Sequence, residues 1–548
     1  MQLTGVDDTA ARARLIDALT LRQLLEDGGE LAIIDIREEL IFSEGHLLHA
    51  RSVPLSRFEL LVARLVPRRS TPIVLCDDND GGAARAASIL VAAGYSDIAI
   101  LDGGCEAWRK AGFELFSGIN VPSKAFGEFV EHRSATPSIP PEELARLMKD
   151  GADLAVLDSR PFEEYSRISI PTATSVPGAE LVLRVRDTVS SPQTTIVVNC
   201  AGRTRSIIGA QSLINAGIPN RVVALRNGTM GWSLSGRACD AGEERRAPPI
   251  SEGGLRTARQ AAERVARRFG VKHIDPATLA MWRAEAEKRT LYLFDVRDPA
   301  EYAAGHVPGA ISAPGGQLVQ ATDQYVGTLG ARIVLVDDLG VRAIMTASWL
   351  LQMGWKDVFV LAEKGNERGK PAAPILGRTE RPEIAIEPGA VAAMIASNAA
   401  TIVDLSLSRN FSKSHIDGAW FAIRSRLARA LPGIPLRDML ILTSEDGIVA
   451  ALAAEEAQAL VSLPVRLLAG GNAAWERAGY ALVADNAHFA DEPVDAWLRP
   501  YERAGNTAKA MAEYLAWEVD LLPRIERDGT CHFRHFPPLP DSDESHPR

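Results

Sequence analysis

The sequence predicts an α/β protein in which one domain plan is used four times. Three observations point to it: an apolar run ending in an acidic residue recurs four times, a second apolar run follows each at a near-constant distance, and helical segments closed by glycine come after the second run. Apolar strands alternating with amphipathic helices mean βαβ units, so each copy should be a mostly parallel sheet flanked by helices on both faces.

The first runs are AIIDIR (Ala32 to Arg37), AVLDSR (Ala155 to Arg160), LFDVR (Leu293 to Arg297) and TIVDLS (Thr401 to Ser406). The second runs are PIVLC, TIVVN, RIVLV and LILT. From the acidic residue to the residue just after the second run the distance is 42 for Asp35 to Asp77, Asp158 to Cys200 and Asp295 to Asp337, and 40 for Asp404 to Ser444. Segments such as SIIGAQSLINAG and ASWLLQMG then end on glycine, which supplies a left-handed helix C-cap. A third short strand leads into a glycine turn and, in three copies, a tryptophan (Trp108, Trp232, Trp475). The tryptophans recur whatever the loop chemistry, so packing explains them.

The expected domains are residues 10–118, 135–240, 271–370 and 383–485, with a linker helix at 241–270 and a tail at 486–548. The charged stretch GEERRAPPISEGGLRTARQAAERVARRFG reads as a solvated connector between an N-terminal pair and a C-terminal pair of domains. In the tail, a helical piece is expected near Thr507 to Trp517, followed by a mobile Pro/Asp/Ser-rich end.

Composition excludes several function classes. At 548 residues the chain exceeds one core, and 46% hydrophobic with 24% charged residues is ordinary globular usage. No apolar run approaches the roughly 20 residues of a membrane helix. The first twenty residues lack a secretory layout, which favours the cytoplasm. A net charge of −10 argues against general nucleic-acid binding. Five scattered cysteines show neither CxxC nor zinc spacing, so they read as free thiols, and no metal site is expected.

In an open parallel sheet, ligands collect at the carboxyl ends of strands. The residues just after the second strand are therefore the ones to compare. In the second copy they are CAGRTR, Cys200 to Arg205, then Ser206. A thiol entering a helix through a short loop faces inward amides and the positive helix end, which favour the thiolate. Arg203 and Arg205 add two permanent charges and planar forks for an oxyanion. The other loops read DDNDGG from Asp77, DDLGVR from Asp337 and SEDGIV from Ser444. None has a thiol at that position, so one active copy and three inactive ones are expected. Cys76 reads as core, and Cys105, Cys239 and Cys531 as incidental.

The D-x-R opening, GHLLHARSVP and GHVPGAISAP, the loop CAGRTRS and the GGxxAW close resemble rhodanese domains over about Leu15 to Val483, and the layout is similar to four-domain bacterial thiosulfate sulfurtransferases. The resemblance implies that Cys200 takes sulfur from a small-molecule donor such as thiosulfate. It then hands that sulfur to cyanide or a thiol, a protein thiol included, with the persulfide itself as carrier and no cofactor. The same mapping makes Ala201, Gly202, Arg203, Thr204, Arg205 and Ser206 the substrate cradle. Arg226, in LRNG, is a candidate to reach the pocket. Asp158 and Arg160 lie behind the loop and read as a supporting ion pair, because inactive copies keep Asp35 with Arg37 and Asp295 with Arg297. The second copy has Ile168, Ser169 and Ile170 where others carry a Gly-His or Ser-His step, so any role of that histidine is absent there. Two alternatives stand beside this reading. One is a phosphatase or arsenate-reductase-like enzyme on the same fold, whose loop is one residue longer. The other is a sulfur-relay or docking scaffold.

Overall fold

The computed structural model describes residues 13–503 and 505–537. The first twelve residues and the end of the Pro/Asp/Ser-rich tail lie outside the described residues. Among the described residues there are four five-stranded sheets, one per copy, and every strand pairing in them is parallel. In each sheet the spatial order, counting strands along the chain, is first, fifth, fourth, second, third. The acid-ended runs form the central strands Ala32–Asp35, Leu154–Asp158, Leu291–Asp295 and Ala400–Asp404. Beside them lie the second runs, Ile73–Cys76, Thr195–Asn199, Arg332–Val336 and Met439–Thr443, with Asp158 directly opposite Asn199.

Alternation of side chains along a strand sends neighbours to opposite faces. In the second copy Val156, Val197 and Val223 therefore pack with Leu144, Tyr165 and Trp232 on one face. Leu157, Ile196 and Val198 pack with Leu181, Ile207 and Leu213 on the other. Both faces are covered, so the strands read as continuous apolar runs.

The copies do not group as an N-terminal pair and a C-terminal pair. Copies one and four make one compact unit, and copies two and three another. In the first unit Arg424 of copy four binds Glu59 of copy one at 2.8 Å, and Ser425 donates to Glu38 at 2.7 Å. In the second unit one hydrophobic core runs through copies two and three, and Trp349 Nε1 donates to Ser212 Oγ at 2.9 Å.

The stretch expected as a solvated connector belongs to that core. It forms the helix Glu252–Phe269, capped by Ser251, whose side chain accepts from Gly254 N. Ala258, Ala261, Ala262, Val265 and Phe269 follow helical spacing and are buried. Its arginines occupy the opposite face, which is what made it read as solvated.

The tail also differs from expectation. Its helix runs over Thr507–Asp528, twice the expected length, and buries Leu515, Glu518, Leu521, Leu522 and Ile525. It packs against the helix Val121–Ser134. Beyond it Phe533 meets Phe126 edge-on at 5.2 Å and Phe536 meets Phe269 at 5.3 Å. Among the described residues no helix is long and apolar enough to cross a membrane.

Candidate functional site

The strand Thr195–Asn199 delivers Cys200 to the carboxyl edge of the second sheet, and the helix Thr204–Asn215 begins four residues on. Behind the thiol, Asn199 Nδ2 donates to Asp158 Oδ2 at 2.9 Å and to Thr229 Oγ1 at 3.1 Å. Asp158 is held by Arg160 through Nε at 2.8 Å and Nη2 at 2.7 Å, and Arg160 also donates to the Ile168 carbonyl. Asp35 with Arg37 and Asp295 with Arg297 repeat this bidentate pair in copies without a thiol. The pair therefore fixes the chain at the strand end in every copy that has it.

The loop is oriented from one side by the short helix Gly228–Leu234. Thr229 N donates to the Cys200 carbonyl at 2.8 Å and Met230 N to the Ala201 carbonyl at 2.9 Å. A trans peptide points its N–H opposite to its carbonyl. The amides of Ala201 and Gly202 therefore face away from that helix. Gly228 has φ +55°, and a Cβ there would lie 2.4 Å from the Cys200 carbonyl oxygen, so only glycine lets the two segments meet.

The inactive copies display what the loop amides hold. Asp77, at the position of Cys200, accepts from Asn79 N and Ala83 N at 2.9 Å each. Asp337 accepts from Leu339 N at 3.2 Å, Arg342 N at 2.7 Å and Ala343 N at 3.4 Å. Ser444 Oγ accepts from Ala450 N at 3.5 Å. The side chain at this position sits in a cradle of backbone donors suited to an anion. By position, the corresponding donors around Cys200 are the amides of Gly202, Arg205 and Ser206.

Cys200 itself is 2% exposed, and its thiol donates to Ser206 Oγ at 3.6 Å. Ser206 in turn donates to the Arg203 carbonyl at 2.8 Å. Arg205 binds Glu164 through Nη2 at 2.8 Å and Gln317 Oε1 through Nη1 at 3.2 Å. Burial opposes its charge, but Glu164 foremost and then Cys200 and Asp158 more than restore it, so its pKa lies above the ordinary arginine value. Burial would raise Glu164, yet Arg205, with Arg499 and Arg160, holds its carboxyl down at about 2.

Three expected substrate ligands turn elsewhere. Arg203 is not a free fork: both Glu128 oxygens accept from it at 2.7 Å, Glu131 accepts as well, and Asn227 Oδ1 lies at 3.2 Å. Glu128 and Glu131 are three residues apart on one helix, so they present one acidic face to it. Arg226 is exposed and donates to Ser138 Oγ at 3.4 Å on the edge strand rather than to the loop. Thr204 Oγ1 is turned to Glu518 Oε1 at 3.4 Å.

Glu518 brings the C-terminal helix onto the loop, a feature with no motif in the sequence. It is fully buried, pairs with Lys124 Nζ at 3.1 Å and accepts from the Tyr514 hydroxyl at 3.2 Å. A Cβ on Gly202 would lie 3.1 Å from Glu518 Oε2, 3.6 Å from Leu515 and 3.7 Å from Tyr514. Burial works against the Lys124 charge, but Tyr514 and Glu518 raise its pKa above the ordinary lysine value. Glu164 left a faint trace in the sequence, because copies two and three both carry Glu six residues after the strand acid, at 164 and 301.

Of the remaining cysteines two lie in the core, and Cys239 and Cys531 are half-buried. Cys76 and Cys105 are buried in the first copy, and burial pushes both thiols up. The histidines of the Gly-His and Ser-His steps are structural. His46 stacks on Phe42 at 3.9 Å, His306 on Tyr302 at 4.0 Å and His415 on Phe411 at 3.8 Å, and all three are buried. The active-loop copy therefore loses no chemistry by having Ser169 there.

Comparison with known proteins follows the same lines. The family described as Rhodanese-like domain matches residues 17–111, 140–235 and 278–364. A crystal structure of a thiosulfate sulfurtransferase from Pseudomonas aeruginosa is similar at 47% identity and a TM-score of 0.92, covering 96% of this chain and 100% of that one. The putative thiosulfate sulfurtransferase SseB of Mycobacterium tuberculosis is 32% identical over 132 residues, 19% of this chain, and the chain spans 46% of that relative's length. The thiosulfate sulfurtransferase GlpE of Pseudomonas aeruginosa is 30% identical over 89 residues, 16% of this chain and 77% of GlpE.

Proposed function

The chain belongs to the rhodanese-like family, and we propose that it is a thiosulfate sulfurtransferase that carries sulfane sulfur as a persulfide on Cys200. The observation that carries this reading is the cradle of backbone donors, which three copies fill with their own Asp77, Asp337 or Ser444, while the second copy has a thiol at the same position, bonded to Ser206 Oγ. The thiolate is the reactive form of cysteine. It attacks the outer sulfur of thiosulfate, the sulfur–sulfur bond of the donor breaks, and sulfite leaves with the electron pair. The persulfide's outer sulfur then passes to cyanide, giving thiocyanate, or to an acceptor thiol, and Cys200 returns as thiolate.

Each residue has a distinct part in the proposal. The amides of Ala201 to Ser206 stabilise the anionic sulfur, and the Ser206 hydroxyl, which accepts from the thiol before ionisation, lies beside it. Arg205, which closes the same loop and is held there by Glu164 and Gln317, supplies the positive charge. Arg203, tied to Glu128 and Glu131, anchors the loop to the helix Val121–Ser134 instead of binding donor. Asp158 and Arg160 position the strand end, and Arg226 is given no part. The proposed domains are residues 10–118, 135–240, 271–370 and 383–485, and the helix Glu252–Phe269 between the second and third belongs to their shared core. The donor and acceptor are small molecules, a protein thiol can be a further acceptor, and the cytoplasm, where scattered thiols stay reduced, is the proposed location.

Mass spectrometry of the protein after thiosulfate treatment tests the reading. The peptide holding Cys200 should gain one sulfur atom and lose it on addition of cyanide. Addition at another cysteine, or none, would overturn it. An aryl phosphate offered in parallel should give no phosphate release.

A further inference from the structure

Arg205 and Arg342 are equivalent residues of the second and third copies, each closing its loop, and each is met by a side chain from the other copy. Arg205 Nη1 donates to Gln317 Oε1 at 3.2 Å, and Arg342 Nη1 donates to Glu180 Oε1 at 2.9 Å. The two partners are themselves equivalent: Glu180 closes Pro177-Gly178-Ala179-Glu180, and Gln317 closes Pro314-Gly315-Gly316-Gln317. These two segments meet each other. A Cβ on Gly316 would lie 3.2 Å from Gly178 N, and one on Gly315 would lie 2.1 Å from Thr346 Oγ1 and 3.0 Å from the Ala179 Cβ. Glycine at these positions is what brings Gln317 within reach of the active loop.

The reciprocal contacts differ in charge. Arg342 is fully buried and touches Asp337, Asp338, Glu180 and Glu301. Arg205 touches one carboxylate, Glu164, which is itself shared with Arg499 at 3.6 Å, and one neutral amide. A second carboxylate at position 317 would neutralise the guanidinium that closes the Cys200 loop.

We infer that Gln317, supplied by the catalytically empty third copy, is a positioning and specificity-determining residue for sulfur transfer: it orients Arg205 and, being uncharged, leaves that guanidinium's charge to a dianionic donor. The inference rests on the proposed role of Cys200. It gives the third copy a part in the reaction of the second, since without it Arg205 lacks one of its two side-chain partners.

The test compares wild type with Gln317→Glu and Gln317→Ala on two sulfur donors, dianionic thiosulfate and a monoanionic aryl thiosulfonate, with cyanide as acceptor. Gln317→Glu should raise KM for thiosulfate about tenfold, with kcat changed less than threefold, and raise KM for the monoanion clearly less. These are the sizes expected for a charge-assisted contact weakened by roughly 1 to 2 kcal/mol. Gln317→Ala, which adds no charge, should shift both donors alike and by less than threefold. Equal effects of Glu and Ala, or a Gln317→Glu enzyme that treats thiosulfate as wild type does, would overturn the inference. Persulfide formation on wild-type Cys200 is followed in the same samples. If it forms while Gln317→Glu has no effect, only the inference falls, and if it never forms, the reading of Cys200 falls with it.

Discussion

The second and third copies have the same sheet, the same loop position and the same terminal arginine, yet one loop holds a thiol and the other a carboxyl group of its own. In the third copy Asp337 places its carboxyl group in the cradle, where amides and Arg342 bond to it. In the second copy a thiol occupies that place, with a hydroxyl at 3.6 Å and an arginine that is not surrounded by carboxylates. The roofs differ too. Gly202 is covered by Leu515, Tyr514 and Glu518 of the C-terminal helix, whereas the carbonyl of Leu339, its counterpart, accepts from Arg259 of the helix Glu252–Phe269. The comparison teaches that an anion cradle is generic to this fold, and that the side chain placed in it decides whether the loop is a reaction site or a structural plug.

The largest expected effect breaks the comparison at the sulfur. Cys200→Ser should lower thiosulfate:cyanide turnover by at least about a thousandfold, because a hydroxyl cannot carry sulfur as a persulfide and none of the other three loops has a thiol at this position. Cys200→Asp should be equally inactive yet fold well, since it installs the plug that Asp77 and Asp337 already form. Calorimetry should then show a Tm no lower than that of Cys200→Ser. A Cys200→Asp protein that unfolds much earlier would mean that the second cradle is not built like the third.

The roof comes next. Glu518→Gln leaves the Lys124 ammonium buried without its carboxylate, and breaking one side of a buried pair costs on the order of 3 kcal/mol. The urea midpoint should fall accordingly, and protease should cut within 507–537 before it cuts elsewhere. An unchanged midpoint would show that the helix does not depend on this contact.

A similar energy is held in Glu164. Its carboxyl sits at about 2 in the folded protein against an ordinary 4.5. A depressed carboxylate contributes stability above its unfolded pKa and loses it as pH falls through the folded one. Roughly 3 kcal/mol should therefore disappear between about pH 5 and pH 2. Glu164→Gln should flatten that acid limb in pH-dependent unfolding. Superimposable limbs for the two proteins would remove Arg205 as the cause.

Much of this architecture was legible in the sequence, for physical reasons. Central strands buried on both faces must be apolar throughout, so the eight strands of the first and second runs stand out, and a fixed spacing between them locates Cys200 at a strand end. The edge strands do not stand out: Ser138–Ile139, Thr174–Ser175 and Ile311–Ser312 are two residues long, below any periodicity. The arginines were legible as charges but not as partners, because what they meet is remote in sequence. Glu128 lies 75 residues from Arg203, and Gln317 lies 112 residues from Arg205. The helix Glu252–Phe269 shows its basic face as plainly as its alanine face, and only the packing of copy two on copy three tells which is buried. The pairing of copies one and four rests on contacts such as Arg424 with Glu59, 365 residues apart, for which repeat spacing holds no signal.

The smallest effect concerns the plug. Asp337→Asn keeps the shape of the side chain but replaces one acceptor oxygen with a donor. Oδ1 of Asp337 accepts from Leu339 N and from the Arg342 guanidinium, and Oδ2 accepts from the Arg342 and Ala343 amides, so either orientation of the new amide sets donor against donor. Arg342 keeps Glu180, Glu301 and Asp338, so its charge is still matched, and the cost should be that of an unmade hydrogen bond, about 1 to 2 kcal/mol. Chemical denaturation should register that loss while thiosulfate turnover stays within twofold of wild type. Were turnover to fall as far as it does in Gln317→Glu, the third loop would be acting on Cys200 through its own charge, and the division between an open loop and a plugged one would have to be drawn around both copies together.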